Sequence, residues 1–368
     1  MKKPMLNVLA AMAVLVLFFA YGHTQKRGGG GHNSERNQWF NHSGHASPGT
    51  WLAYIEKDLV FFDLTGFNWS NSRTFTRAEV GTVPVNAEGD FKITREAGNI
   101  TFTGRFDGNK GQGTYKFAEN TAFRDYLTQQ GYSGITEALM LQVYLTGIDK
   151  NYFAVLKANG YTNITNTQFK DLAEQQISLD VLQGYFDLFK KEGYTNVGLN
   201  KIIELREHGV DADFVESFHA AGYGEVPLDR ALQLRDHGVD TEYINSFRTA
   251  GYMDKITLER AQELRDHGVD PGFIKELADA GYKDISLAQA QTMRDHGVSA
   301  DYIKELNDAG FKNIPLEKAE ELRDHGVSAD FIRELKDAGV KDITPEKAQH
   351  LRDIGISGDY MKELKEAA

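Results

Sequence analysis

The chain has 368 residues, 41% of them hydrophobic and 26% charged, a net charge of -12 and no cysteine. That is a globular composition long enough for two folded regions, and it rules out a disulfide scaffold, a cysteine-linked lipid anchor and a thiol nucleophile. The charge divides into +4 through Ala118 and -16 beyond it, which argues against a general binder of phosphate backbones and leaves a basic partner open.

The first segment reads Met1-Lys2-Lys3, an apolar run from Met5 to Ala20, then Tyr21-Gly22. Two lysines, a run of that length and small residues at its end predict an export signal over 1–22, cleaved after Gly22. An uncleaved membrane tether through residues 5–22 is the alternative, although the run is slightly short for a span. Residues 23–49 read as a flexible linker, with Gly28 to Gly31 consecutive and histidines at His23, His32, His42 and His45. Their spacing matches no compact set of metal ligands.

Residues 50–120 alternate with a period of two, as in Phe91-Lys92-Ile93, Ile100-Thr101-Phe102-Thr103 and Thr114-Tyr115-Lys116-Phe117. Turn formers at Glu96 to Asn99 and Asp107 to Gly111 separate these runs, so a small antiparallel β domain is expected. Earlier strands are expected at Leu59 to Thr65 and Arg73 to Val80, giving about five. Phe91, Ile93, Ile100, Phe102, Phe106, Tyr115 and Phe117 would share the buried face, with Lys92, Thr101, Thr103, Arg105 and Lys116 toward water. Gly111-Gln112-Gly113 has no helix after it and lacks the context of a phosphate loop.

From 121 to 368 the pattern becomes helical and repeats about every 29 residues. The phrase Leu-Arg-Asp-His-Gly-Val places glycines at Gly209, Gly238, Gly268, Gly297, Gly326 and Gly355. A second series, usually Ala-Gly-Tyr, places them at Gly222, Gly251, Gly281, Gly310 and Gly339. Each repeat therefore holds two stop signals and two short helices. Leu258, Ala261 and Leu264 mark the buried face of a first helix. Asp270-Pro271 is the N-cap and first position of a second helix, and Thr344-Pro345 repeats that grammar. The glycines are expected to close Schellman stops, with Val239 returning to Leu234 and Val298 to Met293. Counting back through Gly193, Gly160, Gly147 and Gly131 predicts about eight hairpins from Thr136 onward, one with a second helix lengthened around Ser178 to Glu192. The expected fold class is α+β, a small antiparallel sheet followed by an α-solenoid whose repeats bury their apolar faces on one another.

The residues with no assigned mechanical role are the pairs Arg206 and His208, Arg235 and His237, Arg265 and His267, Arg294 and His296, Arg323 and His325. The plainer expectation makes each His a C-cap that bonds the last carbonyls and meets the helix dipole. The alternative is a binding ridge along the array. Zinc needs ligand nitrogens about 2 Å from one ion, and rungs on neighbouring helices stand too far apart to chelate one. The second-helix aromatics Phe214, Tyr243, Phe273, Tyr302, Phe331 and Tyr360 read as core. With no His-Glu-x-x-His, Gly-x-Ser-x-Gly or Walker sequence, neither catalytic residues, a metal nor a cofactor are expected.

The wording Leu322-Arg323-Asp324-His325-Gly326-Val327, followed by Ala329-Asp330-Phe331-Ile332-Arg333-Glu334-Leu335, resembles a known bacterial arrangement when taken with the hairpin from Gly104 to Phe117. From about Leu59 onward the chain is similar to the extracytoplasmic C-terminal region of antirepressor-type membrane metallopeptidases, relatives of beta-lactam sensors. It lacks their multiple spans and zinc motif, so proteolysis does not carry over. The resemblance implies an exported envelope protein, sensory or regulatory. The expected function is a non-enzymatic scaffold for a protein or peptide partner. A cell-wall or glycan-binding sensor comes second, and a hydrolase with a dispersed site is the weaker alternative.

Overall fold

The computed structural model describes residues 47–66, 69–252 and 256–367. The expected signal at 1–22, and the linker as far as residue 46, lie outside the described residues. The fold is α+β, with a six-stranded antiparallel sheet followed by a helical C-terminal region. Two compact units are present: residues up to Arg124 together with Gly134–Leu141, and Asp125–Ser133 together with Gln142 onward.

The strands are β1 (Gly49–Glu56), β2 (Leu59–Thr65), β3 (Ser70–Thr76), β4 (Gly89–Arg95), β5 (Gly98–Asp107) and β6 (Lys110–Glu119), in the order β3-β2-β1-β6-β5-β4. The sheet therefore has one strand more than expected, β1, which pairs with both β2 and β6 and brings Trp51 opposite Leu64 and Gly113. Alternation puts all seven expected core residues on the buried face, and they are joined there by Trp51, Phe62 and Leu64. The Trp51 ring lies 5.4–5.9 Å from those of Phe62, Phe91, Phe102 and Phe106, and its Nε1 donates to the Thr114 carbonyl at 3.0 Å. The ring fits because Gly104 and Gly113 sit beneath it. A Cβ on either glycine would come within 2.8 Å of the indole.

The strand expected over Arg73 to Val80 stops at Thr76. Thr76 and Glu79 form a capping box that starts a short helix, α1 (Arg77–Val80), so local side-chain hydrogen bonds override the β-like alternation. The β5–β6 turn is also tighter than the Asp107–Gly111 span suggests, since Lys110 and Gly111 already pair with Asp107 and Phe106.

The helical region opens with α2 (Thr121–Gln129). Sixteen helices then follow in alternating first and second positions. They are α3 (Glu137–Thr146) and α4 (Lys150–Ala158), α5 (Asn166–Glu174) and α6 (Leu179–Glu192), α7 (Leu199–Glu207) and α8 (Ala212–Ala220), α9 (Leu228–Asp236) and α10 (Thr241–Thr249), α11 (Leu258–Asp266) and α12 (Pro271–Asp279), α13 (Leu287–Asp295) and α14 (Ala300–Asp308), α15 (Leu316–Asp324) and α16 (Ala329–Asp337), α17 (Pro345–Asp353) and α18 (Gly358–Glu366). Most have nine residues, while α6 has 14, which accommodates the long spacing before Gly193.

The helix ends have simple causes. Asp211, Asp240, Asp270, Ser299, Ser328 and Ser357 each cap a second helix by accepting from the amide of the aromatic three residues on, which fixes that aromatic in the first turn. At the other end, Gly238 and Val239 donate to the Arg235 and Leu234 carbonyls at 3.0 and 2.8 Å, and Val298 donates to Met293 at 2.8 Å, as a Schellman stop requires. Gly268 turns the chain at φ +66°. Gln176 holds the corresponding left-handed position at φ +53° in the repeat that lacks the glycine.

Candidate functional site

The five Arg-x-His pairs fall at the C-terminal ends of α7, α9, α11, α13 and α15, with each Arg in the last turn and each His at the C-cap. The cap position is as expected, but the imidazole does not bond its own helix's carbonyls. It reaches the next repeat, where Nδ1 of His208, His237, His267, His296 and His325 meets the carboxylate of Asp236, Asp266, Asp295, Asp324 and Asp353. The separations are 2.6 Å for the first pair, 2.5 Å for the second, 2.8 Å for His296 and 2.6 Å for the last. A carboxylate only accepts, so Nδ1 carries the proton in each pair. Because Asp236, Asp266, Asp295 and Asp324 each directly precede the next His, acceptor and donor alternate along one row that crosses six repeats and ends at Asp353. The imidazoles are 39–41% exposed, so the row is a surface feature as well as a link.

The arginines have the same double role. The guanidiniums of Arg235, Arg265, Arg294 and Arg323 lie 4.1–4.9 Å above the rings of Phe214, Tyr243, Phe273 and Tyr302 in the preceding repeat. Arg352, which was not among the expected ridge residues, covers Phe331 at 5.1 Å. Nε of Arg206 donates to the Gln175 carbonyl and Nε of Arg294 to that of Gly268, so these two arginines also serve carbonyls at the end of the previous first helix. Stacking over an aromatic suits the planar guanidinium better than it would an ammonium group.

Where the second-helix aromatic is tyrosine, its hydroxyl makes a further link. Tyr152, Tyr185, Tyr243 and Tyr302 donate to the carbonyls of Ile177, Val210, Val269 and Val327 at 2.6–2.8 Å. Burial pushes the Tyr185 hydroxyl up to about 12 and also raises Tyr152, Tyr243 and Tyr302. The tyrosines after the second glycine series act likewise, Tyr161, Tyr223, Tyr252 and Tyr282 donating to Val197, Ile256, Ile285 and Ile314 at 2.6–2.9 Å. A further row crosses the first helices, from Arg230 to Gln262, Arg260 to Gln291 and Lys318 to Gln349.

Among the histidines of the row, the hydrogen bond to Asp324 raises the pKa of His296. No group of three or more His, Asp or Glu among the described residues is arranged to hold a metal ion, and no described helix is long and apolar enough to cross a membrane. His23, His32, His42 and His45 lie outside the described residues. The sheet carries a depression of about 640 Å³ whose lining includes Thr50, Trp51, Leu52, Glu88, Thr103, Arg105 and Gln112. Comparison with known proteins finds no matching family model, no matching curated protein and no matching solved structure.

Proposed function

We propose that this chain is an exported, non-enzymatic scaffold of the bacterial envelope, in which α3 to α18 stack as a solenoid of eight hairpins and bind a protein or peptide partner. The observation that carries this reading is the regular row of Asp and His pairs. The same bond recurs five times at an offset of 28 or 29 residues, and its groups remain partly exposed. Links between successive repeats are what a stack of hairpins needs, because each repeat is too small to bury its own apolar face. An extended row of alternating imidazole and carboxylate, on a region of net charge -16, suits a basic segment of a partner. Export or a tether through residues 5–22 rests on the lysines and apolar run of the first segment, and the envelope setting rests also on the resemblance described above.

The test is recovery of partners from envelope extract on immobilised chain, compared with a variant carrying His→Gln at His237, His267, His296 and His325. A protein recovered by the native chain and lost by the variant, with the helical circular dichroism of both equal, supports the scaffold. Retention of the chain on purified cell wall, with no protein recovered, would overturn it. That outcome would favour the second reading, a cell-wall or glycan sensor, for which the observation is the depression in the sheet, lined in part by threonine, glutamine and arginine. Turnover of an envelope substrate would instead favour a hydrolase.

A further inference from the structure

Each imidazole of the row has two ring nitrogens, and the links between repeats use one of them. Nδ1 of His208, His237, His267, His296 and His325 donates to an aspartate of the next repeat. A neutral imidazole with its proton on Nδ1 carries a lone pair on Nε2. Among the described residues no group bonds Nε2 of these five, and the side chains are 39–41% exposed. The row therefore presents the same acceptor five times, always in one tautomer, because the same neighbour sets it at every rung. The aspartate keeps its charge, so a rung is net negative while its imidazole is neutral.

Such a rung suits a cation that donates a hydrogen bond, a lysine ammonium or an arginine guanidinium, and opposes a carboxylate or a phosphate. The arginines of the ridge do not compete for the site, since Arg235, Arg265, Arg294 and Arg323 turn their guanidiniums onto rings of the preceding repeat. The charged groups that face the imidazoles are acidic. Around His296 they are Asp324 and Glu320 of α15 and Asp295 of its own helix. Spacing narrows the ligand further. The bonds hold successive first helices in contact, and packed helices stand about 8–10 Å apart. A β-strand returns to one face about every 7 Å, which falls short at each rung. A polyproline II segment returns to one face at every third residue, about 9 Å along, and stays in step.

We propose that the row binds an extended basic segment with a lysine or arginine at every third residue, one cation to each Nε2, and releases it on acidification. Protonation turns Nε2 from acceptor to donor and sets a positive charge beside the ligand. Binding is therefore present while the imidazoles are neutral and is lost as pH falls through their titration. Lysine stays charged over that range, so the ligand does not change. This inference rests on the partner-binding reading and names the partner's chemistry and its control. The experiment is calorimetric titration of the full chain with a synthetic peptide of five Lys-Pro-Ala triplets, and with a peptide of the same composition whose lysines are consecutive. At about pH 8 the triplet peptide should bind at least about tenfold more tightly than the other. At about pH 5.5 its affinity should fall at least about tenfold, because repulsion across 4 Å in water is worth about fivefold at each rung. A variant with His→Gln at His208, His237, His267, His296 and His325, equal to the native chain in helical circular dichroism, should bind both peptides alike at both pH values. The pH comparison on the native chain needs no variant. Equal affinity of the native chain for the two peptides, binding that ignores pH, or a pH dependence that persists in the folded variant each overturns the proposal. A chain that recovers a histidine-dependent partner from envelope extract yet fails these titrations loses this inference alone.

Discussion

The sheet and the helical region both rely on aromatic side chains, but their contacts reach across the chain in opposite ways. In the sheet, Trp51 of the first strand touches rings from β2, β4 and β5 and bonds the backbone of β6, so one side chain ties together five strands that are distant in sequence. In the helices, Tyr243 bonds one carbonyl 26 residues on and takes one arginine from the same following repeat. A defect in the first region is shared by those five strands. A defect in the second is expected to stay between two neighbours, as in assemblies stabilised by nearest-neighbour terms.

The largest expected effect falls on the sheet. Trp51→Ala removes the ring at the centre of the aromatic cluster and should cost about 3–5 kcal/mol. Amide exchange in the strands should accelerate strongly in this variant while helical circular dichroism survives. Simultaneous loss of both would break the distinction between the regions. Next in size is Gly268→Ala, which forces a side chain into a left-handed position at φ +66° and should cost roughly 1–2 kcal/mol. The added Cβ itself meets only ordinary contact with Arg294, at 3.5 Å. Urea denaturation should show the loss, with faster exchange confined to α11 and its neighbours.

Tyr243→Phe should cost less, about 1 kcal/mol, by removing the bond to the Val269 carbonyl. Phe214 and Phe273 already occupy the equivalent places without a hydroxyl, and the same denaturation experiment should rank this variant below Gly268→Ala. The smallest effect is electrostatic. His296 is held above its ordinary value of 6.5 by the hydrogen bond to Asp324, so its contribution to stability is fully present below that pH and is lost as pH rises through the folded value. NMR titration should place the His296 midpoint above 6.5, and Asp324→Asn should lower it. A midpoint unchanged by that substitution would remove the ion pair from the list of links between repeats.

Much of the helical region is legible in the sequence because its stop signals are local. A glycine, the residue after it and the leucine four before it state a helix end without reference to anything distant, and sixteen helices from Glu137 follow from counting them. The long α6 was readable from the spacing of Gly160 and Gly193 in the same way. The strand β1 was harder to read. Gly49 to Glu56 carries its alternation in Trp51, Ala53 and Ile55, a weak signal next to that of β5. Thr76 and Glu79 misled for a different reason, since a capping box three residues wide outweighs the alternation that precedes it.

The destination of each histidine depends on where the next repeat lies, which a single repeat's wording does not contain. A signal was nevertheless present at both ends of the series. Asp353 persists although Ile354 replaces the histidine after it, as expected if the aspartate accepts from His325 in the previous repeat. At the beginning, Glu207 precedes His208 where the previous repeat offers Gln175 and Gln176 instead of a histidine, and Gln175 is the residue that reaches Glu207. Arg352 carries the same message, since its ring partner Phe331 belongs to the repeat before it.

The near-constant offset of these links bears on how the chain can change length. Removal of Ser286 to Ile314 takes out one full period, which leaves His267 as far along the chain from Asp324 as it now is from Asp295, and Phe273 as far from Arg323 as it now is from Arg294. These histidine and arginine links lost at the cut each have a replacement of the same residue types in register, so whole periods can be gained or lost where single residues cannot. The four extra residues in the period that holds α6 are the exception, and they amount to about one helical turn, returning the helix to nearly the same face before its glycine stop.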